Sequence, residues 1–203
     1  MAEINAIVFD LGGVLIDWNP RYVYRKIFKT EEEMEWFLEH VTSPDWNEQQ
    51  DAGYPIDKAT RELIAKHPEW EPEIQAYYGR WLEMLGDEIK ETVEIFRQLK
   101  QSGEYKLYAL TNWSHELFPY ALERFGFLEW FDGIVVSGKE KTRKPFTEFY
   151  NILLNRYGLE AEKTLFIDDN IRNTQAAEKI GMAVIDFTSA VELQKALNHM
   201  NIL

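Results

Sequence analysis

The chain has 203 residues, 45% of them apolar, enough for one substantial core with a smaller appendage and too many for a disordered segment. It carries 35 acidic residues against 22 lysines and arginines, a formal charge of −13 that repels polyanions and argues against nucleic acid or an anionic membrane as partner. The absence of cysteine excludes disulfides, thiolate metal sites and cysteine nucleophiles; with no leader-like start and no apolar run near the roughly 20 residues a bilayer needs, a cytoplasmic protein is expected.

In chain order, the first element is Ala6-Ile7-Val8-Phe9, a short apolar run without alternation that suits a strand covered on both faces. It runs into Asp10, with Gly12 and Gly13 opening a turn behind it. Asp10 is therefore placed at a strand's carboxyl end, where open α/β sheets bind ligands; the same residues also read as a plain turn. Residues 16–86 read as helices without a convincing strand. Asn19-Pro20 starts the first, and Thr30 with Glu33 caps the second. Ser43-Pro44-Asp45 and Asp51-Ala52-Gly53 mark a turn-rich interval, and two more helices follow, carrying Ile56, Leu63 and Ile64, then Ile74, Tyr77, Tyr78 and Trp81. These four amphipathic helices form a small bundle whose aromatic residues read first as bundle core.

From residue 87 helix and strand alternate. A helix through Ile89, Val93, Phe96 and Leu99 stops at Gly103, and a strand from Lys106 to Leu110 enters Thr111-Asn112. Ser114 opens a helix to Phe125, distorted at Pro119. Gly133 to Val136 is a strand, Lys144-Pro145 precedes a helix stopped by Gly158, and Thr164 to Ile167 is a strand ending in Asp168-Asp169. A last strand, Ala183 to Asp186, and a last helix capped by Ser189 and Glu192 complete the chain. The expected fold class is α/β, a Rossmann-like parallel sheet core with an inserted four-helix cap; the core is residues 1–16 and 87–203, the cap residues 17–86. Three strand ends then share one sheet edge and bring Asp10, Thr111-Asn112 and Asp168-Asp169 together.

These motifs resemble, in order, the four of the haloacid dehalogenase superfamily: Ile7 to Leu15 is similar to the first, Leu110-Thr111-Asn112 to the second, Lys144 before Pro145 to the third and Phe166-Ile167-Asp168-Asp169 to the fourth. The resemblance spans roughly residues 4–187, and the wide gap after the first motif matches a helical cap. It implies that Asp10 attacks phosphorus to form an aspartyl-phosphate, that Asp10, the Gly12 carbonyl, Asp168 and Asp169 hold Mg²⁺, and that Thr111 and Lys144 grip phosphoryl oxygens. Thr111, Asn112, Lys144 and Trp113 are the expected contacts of a small phosphorylated metabolite, with Trp113 or Trp46 as pocket walls. Taken alone, Thr111 and the acidic pair read equally as helix caps and Lys144 as a solvated side chain. Asn173 could brace the metal ligands or face solvent, and the four histidines show no ligand spacing, only His115 falling near the second motif.

One departure matters. Most phosphatases of the superfamily carry a second aspartate two residues after the nucleophile, where this chain has Gly12. Either another group supplies the proton or the leaving group must be a good one, such as an anomeric sugar oxygen; the run Asp-Leu-Gly-Gly-Val-Leu-Ile-Asp resembles small bacterial glucose-1-phosphate phosphatases that share the gap. Asp17 is one stand-in acid. A metal-independent 2-haloacid dehalogenase and a catalytically weakened binding or regulatory relative are the alternatives, the first disfavoured by the paired acids and the second by the retention of Asp10, Thr111 and Lys144. Oligomeric state is not legible.

Overall fold

Every side chain of β1 (Ala6–Phe9) is fully buried in the computed structural model, which describes residues 3–203. The strand holds the middle of a five-stranded parallel sheet, flanked by β4 (Lys106–Thr111) and β6 (Thr164–Asp168), with β5 (Gly133–Val136) and β7 (Ala183–Asp186) outermost. Successive side chains alternate between faces, so each strand feeds two cores. Ile7, Phe9, Leu107, Ala109, Leu165 and Ile167 pack on one side with α6 (Lys90–Ser102) and α11 (Ala190–His199). Ala6, Val8, Tyr108, Leu110 and Phe166 pack on the other with α9 (Thr147–Tyr157) and α10 (Ile171–Lys179). Gly103 and Gly158 stop α6 and α9 in the left-handed region at φ 69° and 64°, which a residue without Cβ enters freely.

Strand order reverses around β1: the chain moves outward through β4 and β5, then returns to β6 and β7. Phe9 is in register with Ala109 and Ile167, so one step further Asp10 lies level with Leu110 and Asp168, and Thr111 is one residue beyond. The Asp10 N–H extends the ladder to the Ile167 carbonyl at 2.8 Å. A crevice outside strand carboxyl ends at such a reversal is the ligand position in open α/β sheets.

Between Leu15 and Ile89 the chain departs from the expectation of helices alone. β2 (Ile16–Trp18) and β3 (Leu85–Glu88) pair antiparallel as a two-stranded ribbon. Three and four residues are too few for periodicity to register, and the pairing joins residues about seventy apart, so nothing local announces it. The ribbon brackets five α-helices rather than four: α1 (Arg21–Tyr24), α2 (Glu31–His40), α3 (Pro44–Asp51), α4 (Ile56–Lys66) and α5 (Glu71–Gly79). The extra one, α3, occupies the interval read as turns. Ser43 accepts from the Trp46 N–H at 3.3 Å and Pro44 sits in the first turn, so the residues that looked like a loop are a helix start.

Correction is also needed after β4. The helix expected from Ser114 is α7 (Phe118–Arg124), with Pro119 in its first turn, where a missing N–H costs nothing. Residues 112–117 stay irregular and free to shape the crevice. A short helix, α8 (Ser137–Glu140), follows β5 directly and went unforeseen.

Candidate active site

Three carboxylates converge above the sheet edge: Asp10, Asp168 and Asp169 each offer an oxygen within 4.8 Å of the others. One ammonium lies among them. Lys144 Nζ is 2.8 Å from Asp10 Oδ1 and 2.6 Å from Asp168 Oδ2, and its side chain is fully buried. Its backbone is fixed by Asn112, whose Oδ1 accepts from the Lys144 N–H at 2.9 Å and whose Nδ2 donates to the Lys144 carbonyl at 3.0 Å. Asn112 thereby joins the end of β4 to the loop before α9 and points lysine inward.

The remaining acceptors are assigned unevenly. Asp168 Oδ1 takes the Asn170 N–H at 2.8 Å and Asn173 Nδ2 at 3.0 Å, so Asn173 braces this carboxylate from α10. Asp10 Oδ1 takes the Leu11 N–H at 2.7 Å, which leaves Oδ2 as the oxygen available for chemistry. Asp169 stands against Gly13, at φ 76°, where a β-carbon would collide with its carboxylate.

Burial holds the Asp10 carboxyl up at about 7; Lys144 pulls it down, while Asp168 and Asp169 add to the rise. Asp169 is raised by burial and then by Asp168. For Lys144, burial opposes the charge, but the two carboxylates outweigh it and the pKa rises above the ordinary lysine value. Three acids thus share one cation, a deficit of positive charge at a point lined with hard oxygen donors. That donor set suits Mg²⁺, with Asp10, Asp168, Asp169 and the Gly12 carbonyl as the residues that could hold it.

The crevice over these groups is a cavity of about 370 Å³ bounded by Asp10, Gly12, Gly13, Asn112 and Asp169 from the sheet edge. Trp113, Ser114 and Leu117 wall it from the irregular segment, and Trp18, Asn47, Asp51, Tyr78 and Trp81 from the ribbon and helices. Trp113 packs edge-on to Trp81 at 5.6 Å. Thr111, Lys144 and Asp168 are buried and form no part of the wall, yet the Thr111 hydroxyl and the Trp113 indole N–H are buried without a partner. Buried orphans of this kind are rare and mark places where a ligand completes the bonding.

Other candidates fall away from the site. Asp17 accepts from the Tyr22 hydroxyl at 2.5 Å on the ribbon, outside the cavity, and so is no stand-in acid. Trp46 packs on Tyr77, 5.2 Å between ring centres, inside the helical bundle, and does not line this cavity. His115 is exposed and does not line the cavity. Conversely, sequence reasoning missed Asn47, Asp51, Ser114, Trp18 and Tyr78. Asp51 had been seen only as part of a turn, and its position at the end of α3 is the signal that a recognised helix start at Ser43 would have supplied.

Comparison with known proteins gives a consistent picture. A family model described as haloacid dehalogenase-like hydrolase matches residues 4–181. A sesquiterpene phosphatase of Aspergillus oryzae is 29% identical over 187 residues, covering 92% of this chain and 91% of that protein. Among solved structures, an aspartate-to-alanine mutant of a haloacid dehalogenase family enzyme from Bacteroides thetaiotaomicron, crystallised with magnesium and inorganic phosphate, superposes with a TM-score of 0.69 at 21% identity, covering 91% of this chain and 94% of that one. The L-2-haloacid dehalogenase of Xanthobacter autotrophicus gives 0.62 at 17% identity, covering 98% and 84%.

Proposed function

The chain belongs to the haloacid dehalogenase-like hydrolases, and on that premise we propose that it is a magnesium-dependent phosphatase acting on a small phosphate monoester, with residues 17–86 as the cap over its substrate. The observation that carries this reading is the triad of converging carboxylates crossed by a single buried lysine. A dehalogenase attacks carbon and has no need of a cation-collecting acidic pair, whereas phosphoryl transfer needs positive charge on oxygens in the transition state.

Each residue has a chemical part. Asp10 Oδ2 attacks phosphorus, the bond to the leaving oxygen breaks with its electron pair, and an aspartyl-phosphate forms; water then attacks that phosphorus and returns Asp10 as carboxylate. Lys144 pulls Asp10 toward its ionised form, orients it and lends charge to a phosphoryl oxygen. Thr111 finds in another phosphoryl oxygen the partner its hydroxyl lacks. Bound Mg²⁺ supplies Lewis-acid stabilisation of the phosphoryl charge.

For the rest of the substrate, Trp18, Trp81 and Trp113 offer flat apolar faces and Asn47, Asn112 and Ser114 offer hydrogen bonds, a combination that fits a sugar ring such as that of glucose 1-phosphate. A second reading, an apolar alcohol, is favoured by the same aromatic wall and by the relative named a sesquiterpene phosphatase. Release of p-nitrophenol from p-nitrophenyl phosphate tests the class: it is expected to need Mg²⁺ and to fall to background in Asp10→Asn. Metal-free chloride release from 2-chloropropionate, with no phosphate release from any ester, would instead establish the dehalogenase.

A further inference from the structure

Cleavage of an alkyl phosphate expels an alkoxide unless a proton meets the leaving oxygen, and the position beside the nucleophile that could carry an acid is Gly12. A side chain is not excluded there by space, since a β-carbon at Gly12 meets nothing within 4 Å. The proton must therefore come from another wall. In-line displacement puts the leaving oxygen on the far side of phosphorus from Asp10, toward the helices that close the cavity.

Four titratable groups line that cavity among the described residues: Asp10, Asp169, Asp51 and Tyr78. The first is the nucleophile and the second belongs to the acidic cluster. Tyr78 spends its hydroxyl on Asn47 Oδ1 at 3.0 Å and Gln50 Oε1 at 3.1 Å, and burial pushes its phenol far above the ordinary value. Asp51 remains, at the end of α3 on the part of the wall that the helices supply. Resting on the phosphatase reading above, we infer that Asp51, delivered by α3, is the catalytic acid that protonates the leaving oxygen and then, as carboxylate, takes the proton from the water that cleaves the aspartyl-phosphate.

The surroundings of Asp51 fit that work. Asn47 Nδ2 donates to Oδ2 at 3.0 Å and orients the carboxyl. Its own carbonyl accepts from the Ser137 hydroxyl at 2.5 Å, while Ser137 Oγ takes the Trp113 N–H at 2.8 Å, so the acid is seated only when α3 is docked on the sheet domain. Facing it are Glu48 on its own helix, Tyr77 and Tyr78 on α5, the Ser114 amide, and Arg143 with Lys144 before α9. Burial holds its carboxyl up at about 7 and Glu48 adds to the rise, whereas Arg143, the Ser114 amide and Lys144 act downward. An acid with a pKa near the working pH can both give and recover a proton.

The test compares two esters with Mg²⁺ present, glycerol 3-phosphate with its poor leaving group and p-nitrophenyl phosphate with a good one. In single-turnover measurements of leaving-group release, which read only the step that breaks the ester bond, Asp51→Asn is expected to lose about 10²–10⁴-fold on the first and less than about tenfold on the second, the range a positioned acid supplies. In the unmodified protein, the ratio of the two rates should fall as pH rises through about 7; this measurement carries the test if the variant does not fold. Equal losses on both esters, or a ratio flat in pH, would overturn the assignment while leaving the phosphatase standing. No Mg²⁺-dependent release from either ester by the unmodified protein would remove the phosphatase reading and the acid with it.

Discussion

Gly12 and Gly13 stand side by side and answer to different constraints. At position 13 the backbone is left-handed and the Asp169 carboxylate fills the space a β-carbon would take, so glycine is required twice over. Gly13→Ala is expected to cost about 1–2 kcal/mol for the backbone conformation alone. It should also displace Asp169, so thermal melts should show the loss of stability and a titration with Mg²⁺ should show weaker metal stabilisation. At position 12 no such crowding exists, and the missing side chain is a chemical fact about the site rather than a packing necessity. Lys144 makes the complementary point: its charge is legible in the sequence, but the burial that turns it from a surface lysine into the counter-ion of two acids is not.

Among the elements, α3 contributes most to the cavity wall that sequence reasoning overlooked. Asn47, Glu48 and Asp51 lie within one turn's reach on a shared face. Asn47 and Asp51 border the cavity, while Glu48 is gripped by two arginines from outside the ribbon-bracketed segment, Arg143 at 2.5 Å and Arg172 at 2.6 Å. A second tie comes from Glu116, whose carboxylate accepts the Ile56 N–H at 2.9 Å at the start of α4. The helix itself hangs on its cap. Ser43→Ala should cost about 1 kcal/mol, seen as a fall in Tm of about 2–4 °C for a chain of this size. No change in Tm would mean that docking, not capping, holds the element.

For the whole molecule, the −13 charge and the acidic cluster make stability depend on pH and on metal together. Asp10 and Asp51 are both held at about 7 against an ordinary 3.8, so between those values the folded chain keeps protons that the unfolded chain has lost. Metal-free stability should therefore fall as pH rises through that window. Mg²⁺ favours the ionised cluster, and its gain in Tm over a chelated sample should be larger at about pH 8 than at about pH 5.5. A metal effect that does not vary with pH, measured by thermal shift, would show that the cluster does not hold the ion. Among the described residues no helix is long and apolar enough to cross a membrane.

What the sequence alone determined is the α/β sheet and the meeting of Asp10 with Asp168 and Asp169 at one edge; Lys144 was drawn to that edge only by the family resemblance. An unbroken apolar run names a buried strand, the residue at its carboxyl end is set by chain order, and parallel pairing brings remote ends to one edge. For Asn173 the sequence left two readings open, bracing the acids or facing solvent, and the structure decided for the first. The ribbon of β2 and β3, the helix α3 and the cavity wall it carries were decided only by the tertiary structure. Their pairings join residues tens of positions apart, and a carboxyl such as Asp51 keeps its proton up to about 7 only once packing has removed the water around it.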